Sequence, residues 1–155
     1  MIEHILFISK LGKCSLHKEY SNIELLSYTE TLSYNIYKLI LSNIDTNIIY
    51  DVDLNVLCNI KSKINNTRNV FYRYFNGIFV VFVCDLLENE LAIIDFINLV
   101  ISIINEGLSN FDEQTIILNL EKVHFILDEI IIGGTVVELD SKEVLKSYKE
   151  IIDLK

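Results

Sequence analysis

Proline is absent from this 155-residue chain, and its five glycines stand at positions 12, 77, 107, 133 and 134. Linkers between domains are typically rich in proline, glycine and small polar residues. No stretch of that kind and no internal repeat interrupts the sequence. A chain of this length can also bury about 70% of the surface that its unfolded form exposes. The sequence therefore predicts a single domain over residues 1–155.

Cysteine is scarce as well. Cys14, Cys58 and Cys84 are an odd number, lie far apart and contain no CxxC pair, which excludes a disulfide framework and a cysteine zinc site. His124 and Asp128 are four residues apart and share a helical face, but no second histidine or cysteine follows at a matching spacing. We interpret His124 as an ordinary histidine beside a carboxylate, and we expect neither a metal nor a cofactor.

Positive charge is limited to 13 lysine and arginine residues against 22 aspartate and glutamate residues, which gives a net charge of −9. Nucleic acids and anionic lipids attract basic surfaces, so we expect no nucleic-acid binding and no direct electrostatic membrane binding. The hydrophobic fraction of 51% against 23% charged residues excludes a disordered chain.

Long apolar runs are also missing. The first nine residues lack the basic flank of a signal peptide. The longest apolar segment, residues 91–104, is interrupted by Asp95, Asn98 and Ser102, which predicts that it is too short and too polar to span a bilayer. The chain is therefore expected to be soluble and cytosolic.

No catalytic motif is present. The sequence has no P-loop, GxGxxG, HExxH or nucleophile elbow. Asp51 and Asp53 share one strand face, which we interpret as a solvated surface because no base or metal ligand accompanies them. Gly133 and Gly134 follow a predicted helix, whereas anions bind at helix N-termini. We expect no enzymatic activity.

Apolar periodicity predicts the order β-β-α-β-β-β-α-α-α. Strands are predicted over 2–9, 14–19, 46–56, 69–75 and 78–84, with a tight hairpin at Asn76-Gly77. A helix is predicted to run from a capping box at Ser21 and Glu24 to about Ser42. Everything after Asp85 is predicted to be helical, with capping boxes at the following pairs: Asp85 and Glu88, Asn110 and Glu113, and Asp140 and Glu143.

The third predicted helix, residues 116–132, is apolar on more than one side. Such a helix is buried on both sides, and in a small domain we expect another protein to cover the second one. Four apolar positions on the second and third helices exceed what one sheet face can cover, and they form the predicted partner interface: Leu99, Ile103, Phe125 and Ile132.

Several runs resemble the small (sigma) chain of the heterotetrameric clathrin adaptor complexes. They are Tyr72-Arg73-Tyr74, Asn89-Glu90-Leu91 leading into Asp95-Phe96-Ile97, Leu120–Glu129 (LEKVHFILDE), Gly133-Gly134, Val137-Glu138 and, at the start, Gly12-Lys13 with Leu16, Lys18 and Tyr20. Residues 21–68 match poorly, and the 50–67 stretch is longer than in other members. The LEKVHFILDE run favours the sigma chain over its relatives with the same fold, the zeta chain of the COPI coat and the small chain of the TSET complex.

The resemblance implies a longin-like α/β (α+β) fold, with a five-stranded antiparallel-type sheet flanked by helices on both faces. It also implies a non-enzymatic subunit in vesicle-mediated protein transport that binds the N-terminal solenoid of a large chain in a complex with a medium chain. Such a subunit is cytoplasmic and reaches Golgi, endosomal or plasma-membrane coats only through the complex. A stand-alone longin-type trafficking regulator is the alternative from another class.

Some sigma chains bind acidic dileucine signals of cargo tails in an apolar pocket. The resemblance places that pocket near seven residues: Asn76, Ile78, Ile101, Asn110, Phe111, Gln114 and Ile116. Asn76 and Gln114 stand where dileucine-binding members carry small or aliphatic residues, and Ser15 replaces a basic residue. An amide left unpaired against a buried leucine offsets the hydrophobic gain, so we expect weak or no dileucine binding.

Overall fold

A five-stranded antiparallel sheet forms the centre of the computed structural model, which describes residues 1–20, 29–58 and 67–153. The sheet order is β2-β1-β5-β4-β3, and a separate two-stranded hairpin pairs β6 with β7. The elements in chain order are β1 (Ile2–Ser9), β2 (Cys14–Glu19), α1 (Thr29–Ser42), β3 (Ile48–Asp53), α2 (Leu54–Leu57), β4 (Thr67–Phe75), β5 (Ile78–Cys84), α3 (Glu90–Leu108), α4 (Glu113–Leu118), α5 (Leu120–Ile130), β6 (Ile131–Ile132), β7 (Thr135–Val136) and α6 (Ser141–Asp153).

The strand predictions for β1, β2 and β5 are confirmed to the residue, and β4 begins two residues earlier than predicted. The tight hairpin at Asn76-Gly77 is also confirmed, because Phe75 pairs with Ile78 and the two turn residues have φ of 47° and 82°. Asparagine and glycine tolerate that left-handed region better than other residues. The longin-like sheet with helices on both faces is therefore the observed fold.

The sheet separates two hydrophobic layers. On one face, α1 and α2 pack with Leu6, Ile8 and Val81. On the other face, α3 to α6 pack with Ile5, Phe7 and Phe82. Successive strand residues point to opposite faces, so both central strands, β1 and β5, are buried along their whole length.

The predicted strand over 46–56 is wrong at its C-terminal end. The strand β3 ends at Asp53, and Leu54–Leu57 form the short helix α2. The Asp53 carboxylate accepts a hydrogen bond from the backbone N–H of Asn55 at 2.9 Å and so caps this turn. Leu54 and Leu57, three residues apart, are both buried, which a helical turn allows and an alternating strand does not.

The prediction that everything after Asp85 is helical is wrong in two places. The predicted helix over 116–132 is divided at Asn119 into α4 and α5, and residues 131–136 form the β6–β7 hairpin around Gly133-Gly134. The caps predicted at Asp85 and Asn110 are also wrong. The helix α3 begins after Asn89, whose side chain accepts a hydrogen bond from Ala92 N, and α4 begins after Asp112, whose side chain accepts one from Thr115 N. The predicted cap at Ser21 and Glu24 lies outside the described residues.

The apolar segment 91–104 is part of a longer helix than expected. With 19 residues and a mean hydropathy of 1.8, α3 has the length and composition that could cross a membrane, contrary to the prediction from its polar interruptions. Seven of its side chains, among them Phe96, Ile97 and Ile103, are buried in the domain. Core helices of globular domains have the same composition, and α3 packs as one.

Candidate partner-binding surfaces

The helix α6 covers much of the surface that was expected to face a partner. It packs across α3 and α5, and Gly107 of α3 lies at this contact. A Cβ there would lie 3.1 Å from Leu145 Cδ2 and 3.2 Å from Ile126 Cδ1, so the helices pack closely at this position. The second apolar side of α5 is therefore buried mainly by the chain itself.

The four predicted interface residues consequently differ in accessibility. Ile103, one turn before Gly107, is fully buried and offers no surface to a partner, which corrects that part of the prediction. Leu99 and Phe125 are half-buried against the core, and the Phe125 ring lies 6.3 Å from the Tyr148 ring of α6. Ile132 in the β6–β7 hairpin is 65% exposed.

An open groove remains between α5 and the end of α6, with a volume of about 470 Å³. We call it the α5–α6 groove. It has an apolar floor and a polar rim, formed by Phe125, Tyr148, Ile151 and Ile152 with Glu121, Lys122, His124 and Asp128. A concave apolar surface with polar edges suits an apolar segment of another protein.

Two groups of the rim are held by contacts inside the domain. Lys18 Nζ donates to the His124 backbone carbonyl at 3.3 Å and forms an ion pair with the Asp128 carboxylate, which ties β2 to α5. Burial lowers the pKa of His124, and the positive charge of Lys18 lowers it further. His124 is therefore neutral at neutral pH, and this side of the groove carries little unbalanced charge.

The predicted dileucine pocket is not an open apolar pocket in the structure. Its four apolar residues are buried in the core: Ile78, Ile101, Phe111 and Ile116. The Phe111 ring fills this space, 5.8 Å from the Phe7 ring and 5.7 Å from the Phe75 ring.

The three polar residues of the predicted pocket lie on the surface above this core: Asn76, Asn110 and Gln114. Asn76 Nδ2 donates to the Phe111 carbonyl at 3.0 Å, and the Asn110 amide binds the Asp112 carboxylate. Asn76 and Gln114 line a neighbouring open cleft of about 520 Å³ together with Lys10, Asp112, Ile117 and Leu118. The seven residues are thus brought together, but with their apolar members covered.

Sequence reasoning missed a second apolar surface, at the end of the sheet where β1 begins and β5 ends. We call it the Leu87 patch; it consists of Met1, Leu86, Leu87, Leu91 and Ile132. Leu87 is 93% exposed and Leu91 is 78% exposed. The signal in the sequence is two leucines in the turn between β5 and α3, a place where polar residues are usual.

Burial strongly perturbs a histidine pair in the hairpin of β1 and β2. His4 Nδ1 lies 3.1 Å from His17 Nε2 across β1 and β2, and burial together with the neighbouring His17 and Arg68 lowers the pKa of His4 to about 3. Within residues 1–20, 29–58 and 67–153, no group of three or more histidine, cysteine or carboxylate side chains could hold a metal ion. We therefore interpret His4 and His17 as structural residues of the sheet.

Comparisons with known proteins agree with this architecture. A family model described as the clathrin adaptor complex small chain matches residues 1–154. The AP-3 complex subunit sigma of Arabidopsis thaliana is 29% identical over 154 residues, which cover 99% of this chain and 88% of that protein. The AP-4 complex subunit sigma-1 of Homo sapiens is 30% identical over 147 residues, 94% of this chain and 92% of that protein.

The fold is also that of a chain in a homology model of the full-length AP-3 complex in a stretched open conformation. The two chains superpose with a TM-score of 0.71 at 23% sequence identity, over 99% of this chain and 95% of that one. This similarity concerns the fold alone.

Proposed function

Because the chain belongs to the clathrin adaptor complex small chain family, and so is a small subunit of a heterotetrameric trafficking adaptor, we propose that its work is to hold the large chain. It is a cytoplasmic, membrane-associated coat component. The relatives favour an adaptor of the AP-3 or AP-4 kind over the COPI and TSET coats and over a stand-alone regulator. In the proposed role it catalyses no reaction, and it reaches Golgi, endosomal or plasma membranes only through the complex.

The observation that carries this proposal is the apolar surface left on a domain whose own core is already complete. Single domains seldom expose contiguous apolar patches larger than several hundred Å² unless these bind a partner. The α5–α6 groove contains Phe125, a predicted interface residue, and Tyr148, and buried aromatic side chains are frequent anchors of interfaces. We propose that a segment of the large chain's N-terminal solenoid fills this groove.

Cargo selection is the weaker part of the proposed role. The site where the family resemblance places dileucine binding is filled by Phe111, and its entrance carries amide groups. We propose that this chain contributes to cargo binding only after Phe111 moves, or leaves it to the medium and large chains. Scaffolding is then its main function.

The test is affinity purification of the full chain from its own cells, with a tag joined to the C-terminus through a flexible linker, followed by mass spectrometry. We expect a large chain and a medium chain to co-purify. Phe125→Asp should lower their recovery at least about tenfold, because it places an unpaired charge in a buried contact. Val56→Asp, on the opposite face of the sheet, is the matched control and should leave recovery unchanged. If the wild-type chain recovers no large chain, the proposed function is wrong.

A further inference from the structure

The turn between β4 and β5 contains the chain's one asparagine–glycine pair, Asn76-Gly77. Every other asparagine in the sequence is followed by a residue with a side chain. An asparagine deamidates when the backbone nitrogen of the next residue attacks its side-chain amide, and a side chain on that residue shields the nitrogen. Glycine has no Cβ and leaves the nitrogen unshielded. The sequence around Asn76 therefore favours deamidation.

The structure leaves this pair open to solvent. Asn76 is exposed, and a Cβ on Gly77 would meet no atom within 4 Å. The two residues form a tight turn with φ of 47° and 82°, in which Phe75 pairs with Ile78. Hydroxide and water can therefore reach the reacting atoms while the domain stays folded.

The reaction needs only the chain, hydroxide and water. The Gly77 nitrogen loses its proton and attacks Cγ of Asn76, so a C–N bond forms and the side-chain nitrogen, after taking up a proton, leaves as ammonia. Water then opens the cyclic succinimide at either carbonyl carbon. One opening gives aspartate, and the other gives isoaspartate, whose backbone is longer by a methylene group. The overall change is hydrolysis of the amide to a carboxylate and ammonia.

One contact inside the domain opposes the reaction. Asn76 Nδ2 donates to the Phe111 carbonyl at 3.0 Å, which ties the β4–β5 turn to the segment between α3 and α4. Attack requires the side chain to rotate until Cγ meets the Gly77 nitrogen, and this bond restrains the rotation. A hydrogen bond of ordinary net strength slows such a step only about fivefold, so the reaction remains open to the folded chain.

Deamidation would reverse the chemistry of that contact. A carboxylate at position 76 has no hydrogen to donate, and its charge is repelled by the Phe111 carbonyl oxygen. The Asp112 carboxylate lines the same cleft and adds repulsion between like charges. Isoaspartate also lengthens the backbone of the turn, which disturbs the pairing of Phe75 with Ile78.

We propose that Asn76 deamidates spontaneously in the folded chain, and that the reaction frees the segment at Phe111 from the β4–β5 turn. The modification needs no partner and is independent of the proposed function. Because the product carboxylate does not revert to an amide, modified molecules accumulate as the chain ages.

The experiment incubates the purified full chain at neutral and at mildly alkaline pH and digests samples with trypsin at intervals. Cleavage after Arg73 and Lys122 releases residues 74–122 as one peptide, in which Asn98 and Asn110 are internal controls. Electron-transfer fragmentation should locate aspartate and isoaspartate at position 76. They should form at least about tenfold faster than at the two controls, whose following residues carry side chains, and faster at the higher pH. A sample digested without incubation corrects for deamidation during handling.

Two variants test the chemistry and its consequence. In urea, Gly77→Ala should slow the reaction at least about tenfold, because its Cβ shields the nitrogen and the unfolded chain removes any strain of the turn. In the folded chain, Asn76→Asp reproduces one product and should speed hydrogen exchange at residues 110–112 about fivefold through loss of the bond to Phe111. Asn105→Asp, which adds the same charge at an exposed position of α3, is the matched control and should leave that exchange unchanged.

The outcomes separate the two parts of the proposal. An unmodified position 76 in the folded chain, or equal rates at Asn76 and the control asparagines, overturns the deamidation site. Deamidation at position 76 with unchanged hydrogen exchange in Asn76→Asp confirms the site and overturns the release of the segment at Phe111.

Discussion

His4 and His17 face each other between β1 and β2 at a depth where water does not reach His4. Burial favours the neutral form of an imidazole, because a charged ring would lose its hydration. The pair is therefore neutral in the folded chain, and its protonation belongs to the unfolded state.

This pair makes stability depend on pH. The folded pKa of His4, about 3, is below the unfolded value near 6.5, so the unfolded state binds more protons between these two values. The free energy of unfolding should fall as the pH falls below about 6.5, by about 2 kcal/mol at pH 5 from His4 alone. Urea denaturation at pH 7.5 and pH 5 measures this.

His4→Gln removes the titrating ring and should flatten that pH dependence, whereas His124→Gln, at a half-exposed position, should change it much less. Carboxylates also contribute to acid denaturation, and comparing each variant with the wild-type chain cancels their contribution. An identical slope in His4→Gln and the wild-type chain would contradict the assignment.

The two glycines of the β6–β7 hairpin differ in how closely they approach the rest of the domain. Gly133 and Gly134 both have positive φ, 58° and 83°, but their surroundings differ. A Cβ on Gly133 would meet nothing within 4 Å, while one on Gly134 would lie 2.3 Å from the Ile2 carbonyl oxygen. Only at Gly134 does the hairpin press against β1.

Gly134→Ala should therefore destabilise the chain more than Gly133→Ala. Gly133→Ala should cost about 1 kcal/mol, the cost of a left-handed residue with a side chain. Gly134→Ala should cost at least about 2 kcal/mol, because it also displaces the Ile2 N–H bond to residue 134. The midpoints of urea unfolding measure the difference, and equal midpoints would refute this description of the hairpin.

The sequence predicted elements well where one periodicity applied throughout. The strand β5 is uniformly apolar and β1 is mostly so, each is bounded by a turn, and their limits agree with the structure. The end of β3 was missed because Leu54 and Val56 continue an alternation that the Asp53 cap interrupts. The division of the third predicted helix into α4 and α5 was missed because its apolar pattern continues from Ile116 to Ile132. No glycine or proline marks the break at Asn119.

The partner-binding surface was predictable only in part, because it depends on how the helices pack against one another. Sequence periodicity showed that α5 is apolar on two sides, and the structure agrees. Which molecule covers the second side depends on how α6 returns to pack against α3 and α5 near Gly107, and local periodicity does not show such a long-range contact. The exposed Leu87 was missed because no periodicity distinguishes a surface leucine from a core one.

At the scale of the whole molecule, the packing of Phe111 beneath α3 to α6 limits whether a dileucine signal can bind this chain. A leucine side chain entering that site must displace the Phe111 ring from Phe7 and Phe75, as well as desolvate Asn76. The net charge of −9 also gives little attraction for the acidic residue of such a signal.

We therefore expect calorimetry of the assembled complex with an acidic dileucine peptide to show weak or no binding through this chain. Phe111→Ala, which empties the site, should strengthen binding if the ring is the obstacle, and Phe75→Ala tests the neighbouring support of that ring. Micromolar binding by the wild-type complex that is lost in Ile101→Ser would show that the pocket works and that this expectation is wrong.

The position of β1 in the sheet also affects how the chain is made. β1 is a central strand, yet its neighbour β5 follows about 70 residues later in the sequence, and ribosomes add about 5–20 residues per second. Several seconds therefore pass in which β1 has left the ribosome with only the β2 hairpin beside it. During that interval one edge of a mostly apolar strand is unpaired, so the nascent chain is most prone to aggregate before β5 is synthesised.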